Sequence, residues 1–124
     1  MERIRLGGTG LKVSPLAFGT MTLGDPVAES RSLELLDFVV DQGINFIDTA
    51  NSYNAGLSEE IIGKWIKTRG NRERIVLATK VRYTVGRDSD TSGSTPKVIL
   101  REVENSLRRL STDYIDIYYL HQPD

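Results

Sequence analysis

The 124-residue chain has 16 basic and 17 acidic residues, and its formal net charge of −1 gives no electrostatic footprint for nucleic acid or an anionic membrane. It has no cysteine and one histidine, which excludes a disulfide framework, a thiolate nucleophile and a multi-histidine metal site, so no metal is expected. Hydrophobic and charged contents of 39% and 27% are typical of a soluble globular domain, and no segment approaches the roughly 18 apolar residues of a membrane span, so we expect a cytoplasmic protein.

A β-hairpin and a short strand are predicted first. Ile4 and Leu6 precede the glycine-rich turn at residues 7–10, and residues 11–13 form the returning strand. The turn lacks the Gly-Lys-Ser/Thr ending of a phosphate-binding loop, so a hairpin turn is favoured. Residues 15–18 then form an apolar strand that ends at Gly19.

The first helix has start and stop signals on both sides. Asp25 suits a capping position and Pro26 a first helical position, and apolar residues recur at helical spacing from Leu33 to Val40. Gly43 is a natural stop. The apolar run 44–47 that follows predicts a strand leading to Asp48.

Two further strand–helix units complete the chain. A second helix is predicted from about residue 58 to residue 68, and a strand over residues 75–79 ends at Lys80. A long polar loop, 82–94, leads to Thr95, which can cap a third helix with Pro96 at its start. The expected buried stripe of this helix is Ile99, Val103, Leu107 and Leu110. A fourth strand, 115–120, ends at His121.

The alternation of strands and helices predicts an α/β fold with a parallel sheet and right-handed crossovers. Chemistry in such folds collects at the carboxyl ends of the strands. Asp48, Lys80 and His121 each stand at such an end, and Tyr53 lies in the loop just beyond Asp48. We therefore expect these four side chains to converge on one site.

The four side chains suit proton transfer to a carbonyl oxygen. Tyr53 can donate its phenolic proton, and Lys80, held by Asp48, can supply the cation that makes the phenol a better acid. His121 can donate a hydrogen bond to a substrate oxygen. Because no side chain delivers a hydride, a nicotinamide cofactor is implied.

Each residue also has an ordinary structural interpretation. Asp48 alone could be a turn or cap residue, Tyr53 a half-buried aromatic and His121 a satisfied histidine at a strand end. Lys80 is less ordinary, because lysine is seldom buried without a partner. The functional interpretation depends on the four occurring together.

Several motifs of the chain resemble the N-terminal half of an aldo-keto reductase. The hairpin through Ser14 is similar to the plug of that family's barrel, and residues 18–21 (Phe-Gly-Thr-Met) to its first strand end. Residues 43–50 with Tyr53 and residues 58–59 resemble the family signature. Residues 77–81 and 116–121 resemble two later motifs.

The resemblance implies that residues 1–124 form a partial (β/α)8 TIM barrel: a hairpin, four parallel strands and three helices. It implies reduction of an aldehyde or ketone with NADPH, with Tyr53 as proton donor, Asp48 and Lys80 tuning it, and His121 orienting the carbonyl. By the same resemblance, the cofactor contacts are Gly19, Thr20, Met21 and Asp48. A closed barrel usually takes about 250 residues, so we expect a truncated form whose cofactor pocket is incomplete.

Two alternatives remain open at this level. A half-barrel exposes two sheet edges, through which a non-catalytic chain could associate with itself or with a longer reductase. An open doubly wound sheet with an unrelated ligand site would instead place helices on both faces of the sheet.

Overall fold

The computed structural model describes residues 1–124 and arranges one parallel sheet, three helices and a separate hairpin. The strands are β1 (Ile4–Arg5), β2 (Lys12–Val13), β3 (Ala17–Gly19), β4 (Phe46–Asp48), β5 (Val76–Val81) and β6 (Ile117–Leu120). The helices are α1 (Glu29–Asp41), α2 (Leu57–Arg69) and α3 (Pro96–Leu110). None of the helices combines the length and hydropathy that a membrane crossing requires.

The sheet follows chain order, β3-β4-β5-β6, and all of its neighbouring strands are parallel. The register places Gly19 opposite Asp48, Asp48 opposite Ala78, and Lys80 opposite Tyr119. The carboxyl ends of the four strands therefore lie side by side at the same end of the sheet. The predicted hairpin, four parallel strands and three helices are confirmed.

The hydrophobic core lies between the sheet and the helices. Strand residues such as Ile47 and Leu77 point to this side, whereas their neighbours Phe46 and Asp48 point to the other. Eleven buried side chains form the core: Leu23, Leu36, Val39, Ile47, Ile61, Ile62, Trp65, Ile66, Ile75, Leu77 and Leu110. The opposite face of the sheet carries no helix and is open.

Helices α2 and α3 approach each other at a glycine. A Cβ built on Gly63 would lie 2.1 Å from the carbonyl oxygen of Arg109 and 2.8 Å from the carbonyl carbon of Leu110. Only a residue without a side chain allows this backbone contact. The contact sets how closely α3 lies against α2 and the sheet.

Asn45 attaches the hairpin to the amino end of the sheet, beside a hydrogen bond from Arg3 to the Gly43 carbonyl. Asn45 Oδ1 accepts a hydrogen bond from the Ser14 backbone N–H at 2.7 Å, and Asn45 Nδ2 donates to the Lys12 carbonyl at 3.0 Å. The Asn45 backbone N–H donates to Ser14 Oγ at 3.2 Å. These bonds place the hairpin at the end opposite to Asp48, Lys80 and His121.

The predicted start of the first helix is wrong. Helix α1 begins at Glu29, and the residue before it, Ala28, provides no side-chain cap. The Gly24 N–H donates to the Val27 carbonyl at 2.7 Å, and the Val27 N–H donates to the Thr22 carbonyl at 3.1 Å. This turn uses the backbone groups around Asp25 and Pro26 and delays the helix.

The predicted buried stripe of α3 is also wrong in three of its four positions. The buried residues are Val98, Glu102, Ser106 and Leu110, whereas Ile99, Val103 and Leu107 are partly exposed. The helix turns the polar residues Glu102 and Ser106 toward the sheet, where Glu102 accepts hydrogen bonds from Asn51 and Asn105. Thr95 caps the helix as predicted, accepting from the Val98 N–H at 3.3 Å.

Candidate active site

The Lys80 ammonium is the centre of a hydrogen-bonded set at the carboxyl ends of the strands. It donates to Asp48 Oδ2 at 2.7 Å, to the Thr49 carbonyl at 2.8 Å and to the Tyr53 hydroxyl at 3.2 Å. The side chains of Lys80 and Asp48 are 12% and 27% exposed. The pair is thus largely enclosed while the Tyr53 hydroxyl is held against a cation.

The parallel register explains why Asp48 and Lys80 meet. Asp48 pairs with Ala78, and Lys80 lies two residues further along β5, so both side chains leave the sheet on its open face. The lysine side chain then reaches back to the neighbouring strand. The sequence-based expectation that these ends converge rests on the same geometry.

Tyr53 is placed by a tight turn that the sequence analysis did not identify. Asn54 and Ala55, the next two residues, both adopt left-handed conformations with φ of 50° and 55°. Asn54 Nδ2 lies within 2.8–3.2 Å of the carbonyl oxygens of Met21, Leu23 and Asp25. Asparagine tolerates a left-handed backbone, which is the one local signal for this turn.

His121 completes the group of four predicted residues. Its ring lies edge-on to the Tyr53 ring at a centroid distance of 5.7 Å and to the Tyr83 ring at 4.8 Å. Its backbone N–H donates to the Val81 carbonyl at 2.9 Å, which extends the β5–β6 pairing by one bond. Its Nδ1 atom is buried without a hydrogen-bond partner.

The pKa of His121 lies below its ordinary value of 6.5. Burial of the ring is the main cause and the nearby Lys80 ammonium is the second, and both outweigh the opposite effect of Asp48. The imidazole is therefore neutral at pH 7 and carries one N–H, which can donate to an oxygen atom.

An open-face cleft of about 510 Å3 lies beside these residues. This volume falls within the range of small-molecule sites, about 300–1,000 Å3. The cleft combines the polar groups of Asp48, Lys80 and His121 with apolar walls from the strands. Its lining residues are Ala17, Gly19, Phe46, Asp48, Lys80, Tyr119, Leu120 and His121.

Of the four residues expected to contact a cofactor, two line the cleft and two do not. Gly19 and Asp48 line the cleft, and the Asp48 Oδ1 atom accepts no hydrogen bond from the chain. The Thr20 side chain is fully buried, donating to the Asp48 carbonyl at 2.9 Å and accepting from Ser58 Oγ at 3.0 Å. Met21 is 64% exposed and lies outside the cleft lining.

A second polar cluster, missed by the sequence analysis, lies behind the sheet, that is, on its closed side between the sheet and the helices. We call it the buried carboxylate network, and it consists of Asn51, Glu59, Thr79, Glu102, Asn105 and Arg109. Glu59 and Glu102 are both fully buried. Arg109 Nε donates to Glu59 Oε1 at 2.8 Å, and Thr79 Oγ1 donates to Glu59 Oε2 at 2.7 Å.

Glu102 occupies the other half of the network. Its Oε1 atom accepts from Asn51 Nδ2 at 3.0 Å, and its Oε2 atom accepts from Asn105 Nδ2 at 2.7 Å. Arg109 Nη2 lies 4.0 Å from Glu102 Oε1. Burial, followed by the charges of Glu102 and Glu59, raises the pKa of Tyr118 well above its usual range. No local pattern marks these residues as buried.

The sequence of the chain is similar to a known protein family and to known oxidoreductases. The sequence model of the aldo/keto reductase family matches residues 15–124. The chain is 44% identical to the uncharacterized oxidoreductase YrpG of Bacillus subtilis, aligning over 100% of this chain and 41% of that protein. It is 40% identical to the aryl-alcohol dehydrogenase (NADP+) of Phanerodontia chrysosporium, over 92% of this chain and 34% of that protein.

A solved structure is similar over the whole chain. The holo form of the aldo-keto reductase AKR11C1 from Bacillus halodurans superposes with a TM-score of 0.88 at 43% identity, covering 100% of this chain and 41% of that one. The chain therefore spans about two fifths of the length of the first relatives it matches.

Proposed function

The chain belongs to the aldo/keto reductase family, and from this premise we propose that its open-face site serves the NADPH-dependent reduction of an aldehyde or ketone to an alcohol. One observation carries the proposal. The Lys80 ammonium, in the wall of the cleft, holds the Asp48 carboxylate at 2.7 Å and the Tyr53 hydroxyl at 3.2 Å, although Tyr53 itself is not among the residues that line the cleft. A phenol held against a cation in this way is suited to proton transfer to a carbonyl oxygen.

Tyr53 is the proposed proton donor. As negative charge develops on the carbonyl oxygen, the phenol gives up its proton and the adjacent Lys80 ammonium stabilises the phenolate that remains. The ammonium of Lys80 donates one hydrogen bond to Asp48 and a second to the Thr49 carbonyl, and both bonds fix its position. The lysine is thereby oriented before any substrate arrives.

His121 is the proposed group that orients the carbonyl. Its ring lies edge-on to the Tyr53 ring at 5.7 Å, so both side chains can face one substrate oxygen. The lowered pKa keeps the imidazole neutral, and a neutral imidazole donates one N–H without adding charge to the site. Charge stabilisation is then left to Lys80.

A nicotinamide cofactor fits the cleft chemically. It would supply the hydride, which no side chain can provide. Asp48 Oδ1 is available to a ribose hydroxyl, and Gly19 leaves the end of β3 without a side chain in the cleft wall. We propose Gly19, Thr20, Met21 and Asp48 as cofactor contacts, with Thr20 restricted to its backbone because its side chain is buried.

Two relatives support this assignment. One is an aryl-alcohol dehydrogenase that uses NADP+, and the aligned solved structure from Bacillus halodurans is a holo form. An aromatic aldehyde is therefore the first substrate to test. Because the chain spans about two fifths of those proteins, we propose that the remaining cofactor contacts of the relatives lie beyond the aligned part, and that this chain binds NADPH weakly.

The test follows NADPH absorbance in the presence of benzaldehyde, comparing the wild-type chain with Tyr53→Phe. We expect Tyr53→Phe to lower the rate by about 10²- to 10⁴-fold, the usual contribution of a general acid. Tyr114→Phe is the matched control, because Tyr114 lies against Arg72 at the other end of β6. Equal rates for wild type and Tyr53→Phe, or no turnover by the wild type at NADPH concentrations high enough to offset weak binding, would contradict the proposal.

Two earlier expectations stay predictions. Association with a second copy through strands β3 and β6, the two edges of the sheet, can be measured by sedimentation at several concentrations. A cytoplasmic location agrees with the requirement for NADPH and can be checked by cell fractionation.

A further inference from the structure

The segment that carries Tyr53 is anchored at its start by a buried asparagine. Asn51 lies two residues before Tyr53 and is fully buried. Its backbone N–H donates to the Lys80 carbonyl at 3.2 Å, and its side-chain Nδ2 donates to Glu102 Oε1 at 3.0 Å. Asn51 thus connects the strand of the lysine to a carboxylate on helix α3.

The end of the same segment rests on a second residue of α3. A Cβ built on Gly56 would lie 3.0 Å from Cδ and 3.1 Å from Nε of Arg109, so the glycine is packed directly on that side chain. Glu59 holds the Arg109 Nε atom at 2.8 Å. Residues 51–56 are therefore supported from behind at both ends.

The Glu102 carboxylate is fully hydrogen-bonded in the position where it holds Asn51. Each of its carboxylate oxygens accepts one amide N–H, from Asn51 and from Asn105. The Asn51 Oδ1 atom is buried without a partner, so the bond to Glu102 is the single hydrogen bond of that side chain. A buried amide that loses its acceptor bears a desolvation cost, which favours a shift of the backbone.

We propose that Glu102 is a positioning residue for Tyr53, acting through Asn51 to hold the phenol against Lys80 and His121. The inference rests on the proposed function only for its catalytic consequence. Its structural content is that a carboxylate on the closed side of the sheet determines where the tyrosine lies on the open side.

Two substitutions of Glu102 distinguish the loss of its hydrogen-bond acceptors from a change in side-chain packing. Glu102→Leu keeps a side chain of similar size and removes both acceptor oxygens. Glu102→Gln keeps one carbonyl oxygen, which can still accept from Asn51. The Asn105 amide must turn over to accept from the new N–H2 group, which releases the exposed Arg108 guanidinium from Asn105 Oδ1 to solvent. Glu104→Ala, an exposed residue of the same helix, is the matched control.

The position of Tyr53 is read by NMR on the chain labelled in its aromatic rings. The Tyr53 signals are assigned by their disappearance in Tyr53→Phe, and the single histidine needs no assignment. We expect the Tyr53–His121 ring cross-peak to be lost in Glu102→Leu and retained in Glu102→Gln and Glu104→Ala. Circular dichroism checks that each variant keeps its secondary structure.

Asn51→Ala keeps the inference testable where Glu102→Leu does not fold. This milder truncation removes the amide and leaves the Glu59–Arg109 pair in place, and we expect it to lose the same cross-peak. Retention of the cross-peak in a folded Asn51→Ala or Glu102→Leu chain would overturn the inference.

The kinetic consequence distinguishes this inference from the proposed function. A displacement of about 1 Å lowers a rate by up to about 10²-fold, so Glu102→Leu should lower kcat to that extent with less effect on KM. Loss of the cross-peak without carbonyl reduction by any form would refute the proposed function and support the inference. Reduction that is unaffected in Glu102→Leu, with the cross-peak retained, would do the reverse.

Discussion

The two charged clusters of this chain differ in what encloses them. The Lys80–Asp48 pair lies on the open face of the sheet, 12% and 27% exposed, beside a cleft. The Arg109–Glu59 pair lies between the sheet and the helices, where Glu59 is fully buried and Arg109 is 19% exposed. The open pair can meet a ligand, whereas the buried pair can act only through the chain that surrounds it.

The charge balance of the clusters differs as well. On the open face one ammonium faces one carboxylate, and the neighbouring imidazole is neutral because its pKa is lowered. Behind the sheet a single guanidinium faces the two carboxylates of Glu59 and Glu102. Hydrogen bonds from Thr79, Asn51 and Asn105 make up for the missing cation. An enclosed cluster whose carboxylates are already hydrogen-bonded supports positioning rather than proton transfer.

The largest loss in the free energy of unfolding is expected from Arg109→Met. It leaves two buried carboxylates without a cation, and breaking a buried ion pair by removing one partner costs about 3–5 kcal/mol. Urea denaturation followed by circular dichroism measures the change. Arg108→Met, at the exposed neighbouring position whose guanidinium contacts Asn105, is the control. A loss no greater than that of the control would mean that the pair adds little to folding.

Gly63→Ala tests the close packing of the closed side without changing any charge. The added Cβ would lie 2.1 Å from the Arg109 carbonyl oxygen, so helix α3 must move, at an expected cost of about 1–3 kcal/mol. Thermal unfolding provides the measurement. Lys67→Ala, at an exposed position of the same helix, should stay within about 0.5 kcal/mol. A neutral result for Gly63→Ala would show that the helices separate easily.

Lys80→Met should have a smaller effect on folding than either change behind the sheet. The pair is largely enclosed, but Asp48 lines the cleft and can be hydrated once the ammonium is removed, so we expect the free energy of unfolding to fall by about 1 kcal/mol, between the effects of a surface pair and a buried one. Lys64→Met, which removes an exposed pair with Glu29, is the control in the same denaturation assay. A loss as large as that of Arg109→Met would make the open pair structural and erase the distinction between the two clusters.

The smallest effect is a shift in the titration of His121. The chain has one histidine, so its imidazole signal can be followed by NMR without ambiguity. We expect its midpoint below 6.5 in the wild type and nearer to 6.5 in Lys80→Met, because the Lys80 cation opposes protonation. The midpoint should fall further in Asp48→Asn. A wild-type midpoint at or above 6.5 would contradict the placement of His121.

The sign of the linked stability change follows from the same shift. The folded state binds the proton less tightly than the unfolded state, so folding loses stability as the pH falls below 6.5. The loss stops growing once the pH passes the lowered folded-state pKa. This contribution is expected to disappear in His121→Gln.

The open-face site could be predicted from the sequence because it depends on strand periodicity. Apolar runs end at Asp48, Lys80 and His121, and in a parallel sheet such ends meet whatever the details of packing. The placement of Tyr53 was harder to foresee. It depends on left-handed residues at Asn54 and Ala55 and on carbonyls about thirty residues away, which no local pattern contains.

The buried carboxylate network could not be predicted for the same reason. A glutamate in a helix is normally placed on the solvent side, and Glu102 is buried only because Asn51 and Asn105 supply donors. The start of α1 was missed because Gly24 and Val27 bond to each other across Asp25 and Pro26. In each case a long-range or turn-specific hydrogen bond overrides a sound local preference.

The order of strands in the sheet has a consequence for synthesis. Because the strands of the parallel sheet lie in the order β3-β4-β5-β6 in space as well as along the chain, β4, β5 and β6 each pair with the strand made just before. A growing polypeptide that leaves the ribosome can therefore add one strand–helix unit at a time to an existing edge, without waiting for a distant partner. The lysine that arrives with β5 finds its aspartate already in place on β4.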